Sequence, residues 1–432
     1  MIQDNPNNVR HKVSCLEFAS TDKTKILFLS LFAVFLIAYG VAFYHKDGDL
    51  DVFLLGAKRL ISHEVITVRE PNHFTYPPFF ALLMSPLALL SFPIANILWY
   101  LITWSCLMAC ILMIKDMIFK LDGFDSVPVP KQNWIIAGGV LVSAKYVLSV
   151  FENQQFDLLV FFFCLSGLYF IFKNKELAGS GLLAAGISIK CTPLLFLCYF
   201  VLKRKWRVVL FTSLYVGVFS FLPDILFFNH RFSYFFDWFS KIVLYHPLLA
   251  RMAAPGFDGI LLAPGTGVNY LNQSLQVLIY RMFSKDATQC VINIAQLDDH
   301  TVALIKLMIF GIVAGIPLVI LRRNVFDRSE GYDIYVLMET AAIFILMVLF
   351  SPMSSKPHFN TLLFGNTLLV ALFFTGKHRA FLGPILVPIF VFQFISRDLI
   401  GYRYADYFYQ CGITTVSSLL TYAGLIWSHR SG

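Results

Sequence analysis

Charge is scarce in this chain. Asp, Glu, Lys and Arg make up only 14% of its 432 residues, against about 25% in ordinary soluble domains. That shortage excludes a conventional water-facing surface. Metal-type cysteine spacing is also missing. Of eight cysteines, Cys106, Cys110, Cys164, Cys191 and Cys198 lie inside apolar runs, where a thiol acts as a small hydrophobe. Cys290 and Cys411 are both expected near the outer surface, where a disulfide between them is one expectation. The polar N-terminus through Lys25 has no cleavable signal pattern. No internal repeat, low-complexity tract or nucleic-acid motif is found.

What is abundant is apolar. Hydrophobic residues reach 58%, mean hydropathy is +0.70, and there are 45 Phe. Runs of ~18 or more apolar residues recur, each long enough for a hydrocarbon core of ~30 Å. The fold class expected is an all-α polytopic membrane protein with about 11–13 membrane segments, beginning with Ile26–Tyr44. The net charge of +8 sits in short clusters between apolar segments: Lys23/Lys25, Lys115/Lys120/Lys131, Lys173/Lys175, Lys203/Arg204/Lys205/Arg207, Arg322/Arg323/Arg328, Lys377/Arg379 and His429/Arg430. Such clusters act as cytoplasmic topology signals. All of them fit inside if two stretches do not cross fully: a dip at 79–90, broken by Pro86, and a hairpin over 177–202 with Lys-Cys-Thr-Pro in its middle. Broken helices need cover from protein or a cavity to line. Full crossings are expected near 95–114, 134–151, 158–172, 206–227, 301–321, 333–350, 359–375, 381–397 and 411–427. The chain thus reads as a single membrane domain, 1–432. Its outer face carries a first loop (45–78) with an amphipathic helix, a long loop (228–300) with short helices, and a further loop at 397–410.

Polar residues at that face are the candidates for chemistry. Asp47, Asp49 and Asp51 stand where an apolar helix ends, and carboxylates gain nothing from lipid. A carboxylate there can take a proton from an attacking hydroxyl. Residues two apart do not share a helical face, so at most one of the two faces a given cavity: Asp51 reads as a cap of helix 52–61 before a base, and Asp49 equally as a base or a solvated loop residue. Glu152–Asp157 is a polar run too short to be a solvated loop, fit either for a turn or for binding hydroxyls. Lys190 lies mid-segment, where a cation needs a partner; an anionic headgroup is one, a structural ion pair another. Lys145 has the same status, with snorkelling favoured. Asn272, Gln273 and Ser274 precede Arg281, which can grip a phosphate bidentately or anchor at the surface. Lys356 and His358, in a proline-stiffened turn, can neutralise a leaving phosphate or serve as interfacial anchors.

The ordered set resembles glycosyltransferase family 87. Asp49-Leu-Asp-Val-Phe-Leu-Leu-Gly-Ala57 is similar to the family's Asp-Phe-x-x-Tyr-x-x-Ala-Ala opening. Phe74-Thr-Tyr-Pro-Pro-Phe79 and Pro86-Leu87 are similar to its Phe-x-Tyr-Pro-Pro and Pro-Leu signatures. Lys190-x-Thr192-Pro193, Asn272-Gln-Ser274 with Arg281, and Ser351-Pro352 through His358 follow in the family's order. Two stretches depart from it: Gln154-Gln155-Phe156-Asp157 stands for Gly-Gln-x-Asn, and Ser354-Ser355-Lys356-Pro357-His358 for Ser-Trp-x-His-His.

The resemblance implies a GT-C-type fold and an inverting transfer of a sugar, mannose first, from a polyprenyl-phosphate carrier to a hydroxyl of a lipid-linked or glycan acceptor at the outer face of the cell membrane. Asp49 would be the base, with Asp51 beside it. Tyr76, Gln155, Lys190, Asn272, Gln273, Arg281, Lys356 and His358 would bind substrate. Membrane lipids, the polyprenyl-phosphate sugar and a glycolipid or glycan acceptor are the expected partners; no metal, cofactor or nucleic acid is expected. The rivals are a GT-C enzyme for another sugar such as arabinose, a lipid or sugar transporter or flippase, and a non-catalytic polysaccharide-assembly factor. A transporter gathers its polar groups at the midplane of related halves, whereas here they gather toward one leaflet.

Overall fold

The computed structural model describes residues 48–67, 74–244, 262–263, 267–268, 270–320, 332–376 and 378–431, with helical positions at 34, 37, 38 and 40–42. Most of the expected first crossing, Ile26–Tyr44, together with Asp47, lies outside the described residues. The chain divides into two compact units, residues 1–46 and 47–432. The second carries every element below.

Helix α1 (Leu50–Ile61) opens it. Its apolar stripe of Leu50, Phe53, Leu54, Ala57 and Leu60 is buried, while Asp51 and Lys58 face outward. Asp51 in the first turn and Lys58 and Arg59 in the last complement the helix dipole. Helix α2 (Pro78–Ala88) starts at Pro77-Pro78. Its 11 residues reach only about 16 Å, short of a crossing. Helices α3 (Phe92–Phe119), α4 (Val129–Glu152) and α5 (Asp157–Phe172) follow.

The expected hairpin over 177–202 forms as α6 (Glu176–Ile189), a break at Lys190, a 3-10 turn (Thr192–Leu194) and α7 (Leu195–Leu202). The reversal is marked by Glu176, at the start of α6, lying 3.6 Å from Arg207 at the start of α8 (Trp206–Leu226). Beyond α8 come α9 (Tyr234–Trp238), a two-residue hairpin pairing Leu262–Ala263 with Gly267–Val268, and α10 (Leu275–Phe283). Then come α11 (Asp299–Ile320), α12 (Ile334–Leu349), a 3-10 turn (Lys356–Thr361) leading into α13 (Leu362–Phe374), α14 (Arg379–Phe392), α15 (Arg397–Gln410) and α16 (Ile413–Ser431). Residues 397–410 are therefore a helix, kinked at Gly401 (φ 79°), rather than the expected loop. Cys290 and Cys411 are free thiols, which corrects the disulfide expectation.

Among the described residues, five helices are long and apolar enough to cross a membrane: α3, α4, α8, α11 through Ile316, and Lys356–Phe374. α8 and α11 show the lipid-facing pattern, with Leu214, Val218, Ile225, Leu307 and Ile312 all more than half exposed. A contiguous face of large apolar side chains turned outward fits a hydrocarbon surrounding. The core is built on α5, α12 and α13, with Phe161, Leu165, Phe344, Leu349, Phe364 and Leu368 essentially buried. α5 and α6 meet at Gly167 and Gly179, where a Cβ on Gly179 would fall 2.6 Å from the Gly167 carbonyl oxygen. Small residues let membrane helices approach this closely. That contact brings the start of α5 beside the end of α6.

Candidate active site

The entry to α1 lies flush on the turn between α4 and α5. Asp49 donates its backbone N–H to the Asn153 carbonyl (3.2 Å). Gly48 makes this possible, since a Cβ there would sit 2.7 Å from Gln154 Oε1. Gln154 itself adopts a left-handed conformation (φ 52°). Its carbonyl accepts from Trp99 Nε1 (3.1 Å) and its amide reaches Asn96 Oδ1 (3.4 Å). With the turn held, the next residue, Gln155, donates its Nε2 to Asp49 Oδ2. Burial pushes the Asp49 carboxyl above its ordinary value, the Gln155 hydrogen bond pulls the other way, and the charge of Asp157 adds to the rise.

Two residues beyond Gln155, Asp157 begins α5 and accepts from Lys190 Nζ at 2.8 Å. Lys190 holds extended geometry (φ −149°, ψ 127°) at the break between α6 and the following 3-10 turn. Its ammonium also lies 5.5 Å from the centre of the Phe156 ring. His358, on the 3-10 turn before α13, places Nδ1 3.9 Å from Asp157 Oδ2 and 3.1 Å from Ser355 Oγ. A narrow cleft of about 20 Å³ opens among these groups, lined by Asp157, Lys190, Thr192, Ser351, Ser354, His358 and Thr361 with Val160, Met347 and Val348. Behind the Asp49 side stands an aromatic wall. Tyr76 makes ring contacts with Phe53 (5.6 Å), Phe74 (5.5 Å), Phe80 (5.7 Å) and Phe156 (4.7 Å). Burial keeps the Tyr76 phenol protonated.

The structure thus gathers Asp49, Tyr76, Gln155, Lys190 and His358, and adds Asp157, which the motif reading named only as a departure. The signal that could have found it was its pairing need: a carboxylate in an apolar context calls for a cation, and Lys190 was one in search of an anion. Asp51, in the first turn of α1, is exposed. Asn272, Gln273 and Arg281 lie apart from it, each at most 1% exposed. Asn272 donates to the Pro352 carbonyl (2.9 Å) and accepts from Ser354 N (3.1 Å), while Gln273 Nε2 donates to the Tyr409 carbonyl (2.8 Å). Arg281 donates to the carbonyls of Tyr409 (2.9 Å), Gln410 (3.3 Å) and Asn272. With these terminal nitrogens on main chain, Arg281 stands as a strut between α10 and the end of α15, where a phosphate ligand was expected. Lys356, in the same turn as the cleft-lining His358, places its Nζ 4.4 Å from the centre of the Tyr409 ring. Among the described residues, no three His, Cys, Asp or Glu side chains group as metal ligands.

These features define a class: a multi-pass helical membrane protein with a half-buried carboxylate and a Lys–Asp–His cluster meeting at one end of its bundle. Residues 74–352 match the family model of glycosyltransferase family 87, and the chain belongs to that family. Gln155, Asp157 and Lys190 lie within the matched stretch; Asp49 and His358 lie outside it. A polyprenol-phosphate-mannose-dependent alpha-(1-2)-phosphatidylinositol mannoside mannosyltransferase of Mycobacterium tuberculosis is 27% identical over 183 residues, which are 38% of this chain and 41% of the relative. The aligned part therefore spans about two fifths of that relative's length. The crystal structure of ArnT from Cupriavidus metallidurans in the apo state aligns over 95% of this chain and 77% of its own, with 12% identity and a TM-score of 0.38.

Proposed function

We propose that the protein transfers a sugar, mannose first, from a polyprenyl-phosphate carrier to a hydroxyl of a lipid-linked or glycan acceptor at the outer face of the membrane. The observation that carries this reading is the Asp49 carboxylate, oriented by Gln155 beside the Asp157–Lys190–His358 cluster. An acid whose burial lifts its pKa is a better proton acceptor once ionised than a fully solvated one. In this reading Asp49 takes the proton of the acceptor hydroxyl as its oxygen attacks the anomeric carbon. The carbon–oxygen bond to the carrier phosphate breaks on the opposite side, through an oxocarbenium-like transition state with inversion.

The departing phosphate needs charge stabilisation more than a proton. Lys190 carries three N–H donors, one of which Asp157 takes, and His358 lines the same cleft. Lys190 and His358 would hold the phosphate while Asp157 fixes their placement. The family supports the reaction class, and the mycobacterial relative's name supports the carrier and the sugar.

The test is incubation of the purified protein with radiolabelled polyprenyl-phosphate-mannose and a lipid extract of the source organism, with polyprenyl-phosphate-arabinose in parallel. Transfer from the mannose donor is expected. Asp49→Asn should lose about 100-fold or more in rate with folding intact, and Asp51→Asn far less. Transfer only from arabinose would change the sugar. No transfer from either donor, or the reverse ranking of the two variants, would overturn the reading.

A further inference from the structure

The far end of the same helices holds a second polar cluster that the transfer reaction does not use. α3 touches the Gln154 turn through Asn96 and Trp99. Its Lys115, Asp116 and Lys120 lie about 30 Å further along the rod, at ~1.5 Å per residue. There the ends of α3 and α5 and the start of α4 bound an open cleft of about 510 Å³. Asp116 and Tyr169 form its floor, Lys115 and Lys120 its rim, and Leu112 and Met113 its lip.

The charges of this cleft do not balance among themselves. Asp116 accepts from Lys120 (2.6 Å), from Lys173 (3.0 Å) and from the Tyr169 hydroxyl (2.8 Å). Lys115 donates to a neutral acceptor, Asn133 Oδ1 (2.8 Å). Two ammonium groups thus share the Asp116 carboxylate and Lys115 has a neutral partner, so counting Lys173 beside the lining residues leaves an excess of two positive charges. The lip is apolar and turned outward, with Leu112 66% exposed. Ammonium groups above an exposed apolar edge match the layered chemistry of a phospholipid, phosphate over acyl chain. A soluble anion would have no use for the lip.

We propose that this cleft seats the phosphate of an anionic phospholipid in the leaflet opposite the Asp49 cluster, gripped by Lys115 and Lys120 and laid along Leu112 and Met113. Asp116, held by Tyr169 and Lys173, keeps Lys120 on the rim. The inference does not depend on the transfer reaction.

The test uses the full chain purified in neutral detergent, with lipid retention read by native mass spectrometry and thermal unfolding followed on adding phosphatidylglycerol, phosphatidylcholine or free glycerol 3-phosphate. Phosphatidylglycerol is expected to bind saturably and raise the unfolding temperature, and the other two are not. The double variant Lys115→Gln/Lys120→Gln should weaken phosphatidylglycerol binding at least about tenfold, and Lys115→Arg/Lys120→Arg should keep it. Equal responses to phosphatidylglycerol and phosphatidylcholine in the unaltered protein would overturn the proposal without any variant. A response to glycerol 3-phosphate matching that to the lipid would also overturn it, as would undiminished binding by the Gln variant.

Discussion

Asp49 and Gln155 show how one hydrogen bond tunes an acid. Burial raises the Asp49 carboxyl, and the Gln155 amide, by bonding the ionised form, restrains that rise. Gln155→Ala removes the restraint. A base works only when ionised, so the acid limb of kcat/KM should move to higher pH in the variant while much of the plateau rate at alkaline pH survives. A pH–rate profile checks this; an equal loss at every pH would make Gln155 a substrate contact instead. The same rise has a sign for stability. The folded state holds the Asp49 proton more tightly than the unfolded chain does, so this group favours folding at low pH. That contribution is lost as pH climbs through the raised value. Asp49 could be singled out in the sequence, as a base or as a solvated loop residue, because a carboxylate at a membrane edge gains nothing from lipid. Asp157 could not, because its meaning depends on Lys190, 33 positions away, and on the fold that brings the two within 2.8 Å.

Elements were legible where composition leaves one option. The short run after Pro77-Pro78 is an 11-residue helix where a dip was expected, although it continues through Pro86 instead of breaking there, and Lys-Cys-Thr-Pro foretold the break at Lys190 between α6 and α7. α15 was not foreseen, because Arg397–Gln410 is polar and aromatic with no apolar run. It is helical through tertiary packing: Ala405 and Tyr409 bury against Tyr270, Phe392 and Ile395. The role of Arg281 was likewise hidden, since a phosphate grip and a main-chain strut demand the same residue. Its contacts join α10 to the end of α15. Arg281→Ala would strand buried carbonyls and should lower stability by about 3 kcal/mol or more, read as a drop in unfolding temperature in detergent. A variant that kept its unfolding temperature and lost only donor affinity would return Arg281 to the phosphate.

At the scale of the molecule, the topology signals were only partly what they resembled. Lys203 and His429 belong to basic clusters that read as simple cytoplasmic markers, yet both are buried on Glu339. Lys203 Nζ lies 2.9 Å and His429 Nε2 3.4 Å from Glu339 Oε1, and Tyr199 donates to Oε2 at 2.9 Å. This knot ties α7, α12 and α16 together. Removing the acid from a buried pair leaves an uncompensated cation, so Glu339→Leu should cost about 3–5 kcal/mol, measurable as loss of folded protein on heating. An unchanged melting profile would make the knot incidental.

α3 runs unbroken from the Gln154 turn to the lysine-rimmed cleft, 28 residues without an internal proline past its first turn. A rod of that kind has no joint in which to absorb a mismatch with the surrounding bilayer, so it answers thinning or thickening by leaning as a whole. Tilt at the lysine rim is then tilt at the seat of Asp49. On the proposed reading, the acyl length of the host lipid would bear on the transfer from outside the protein.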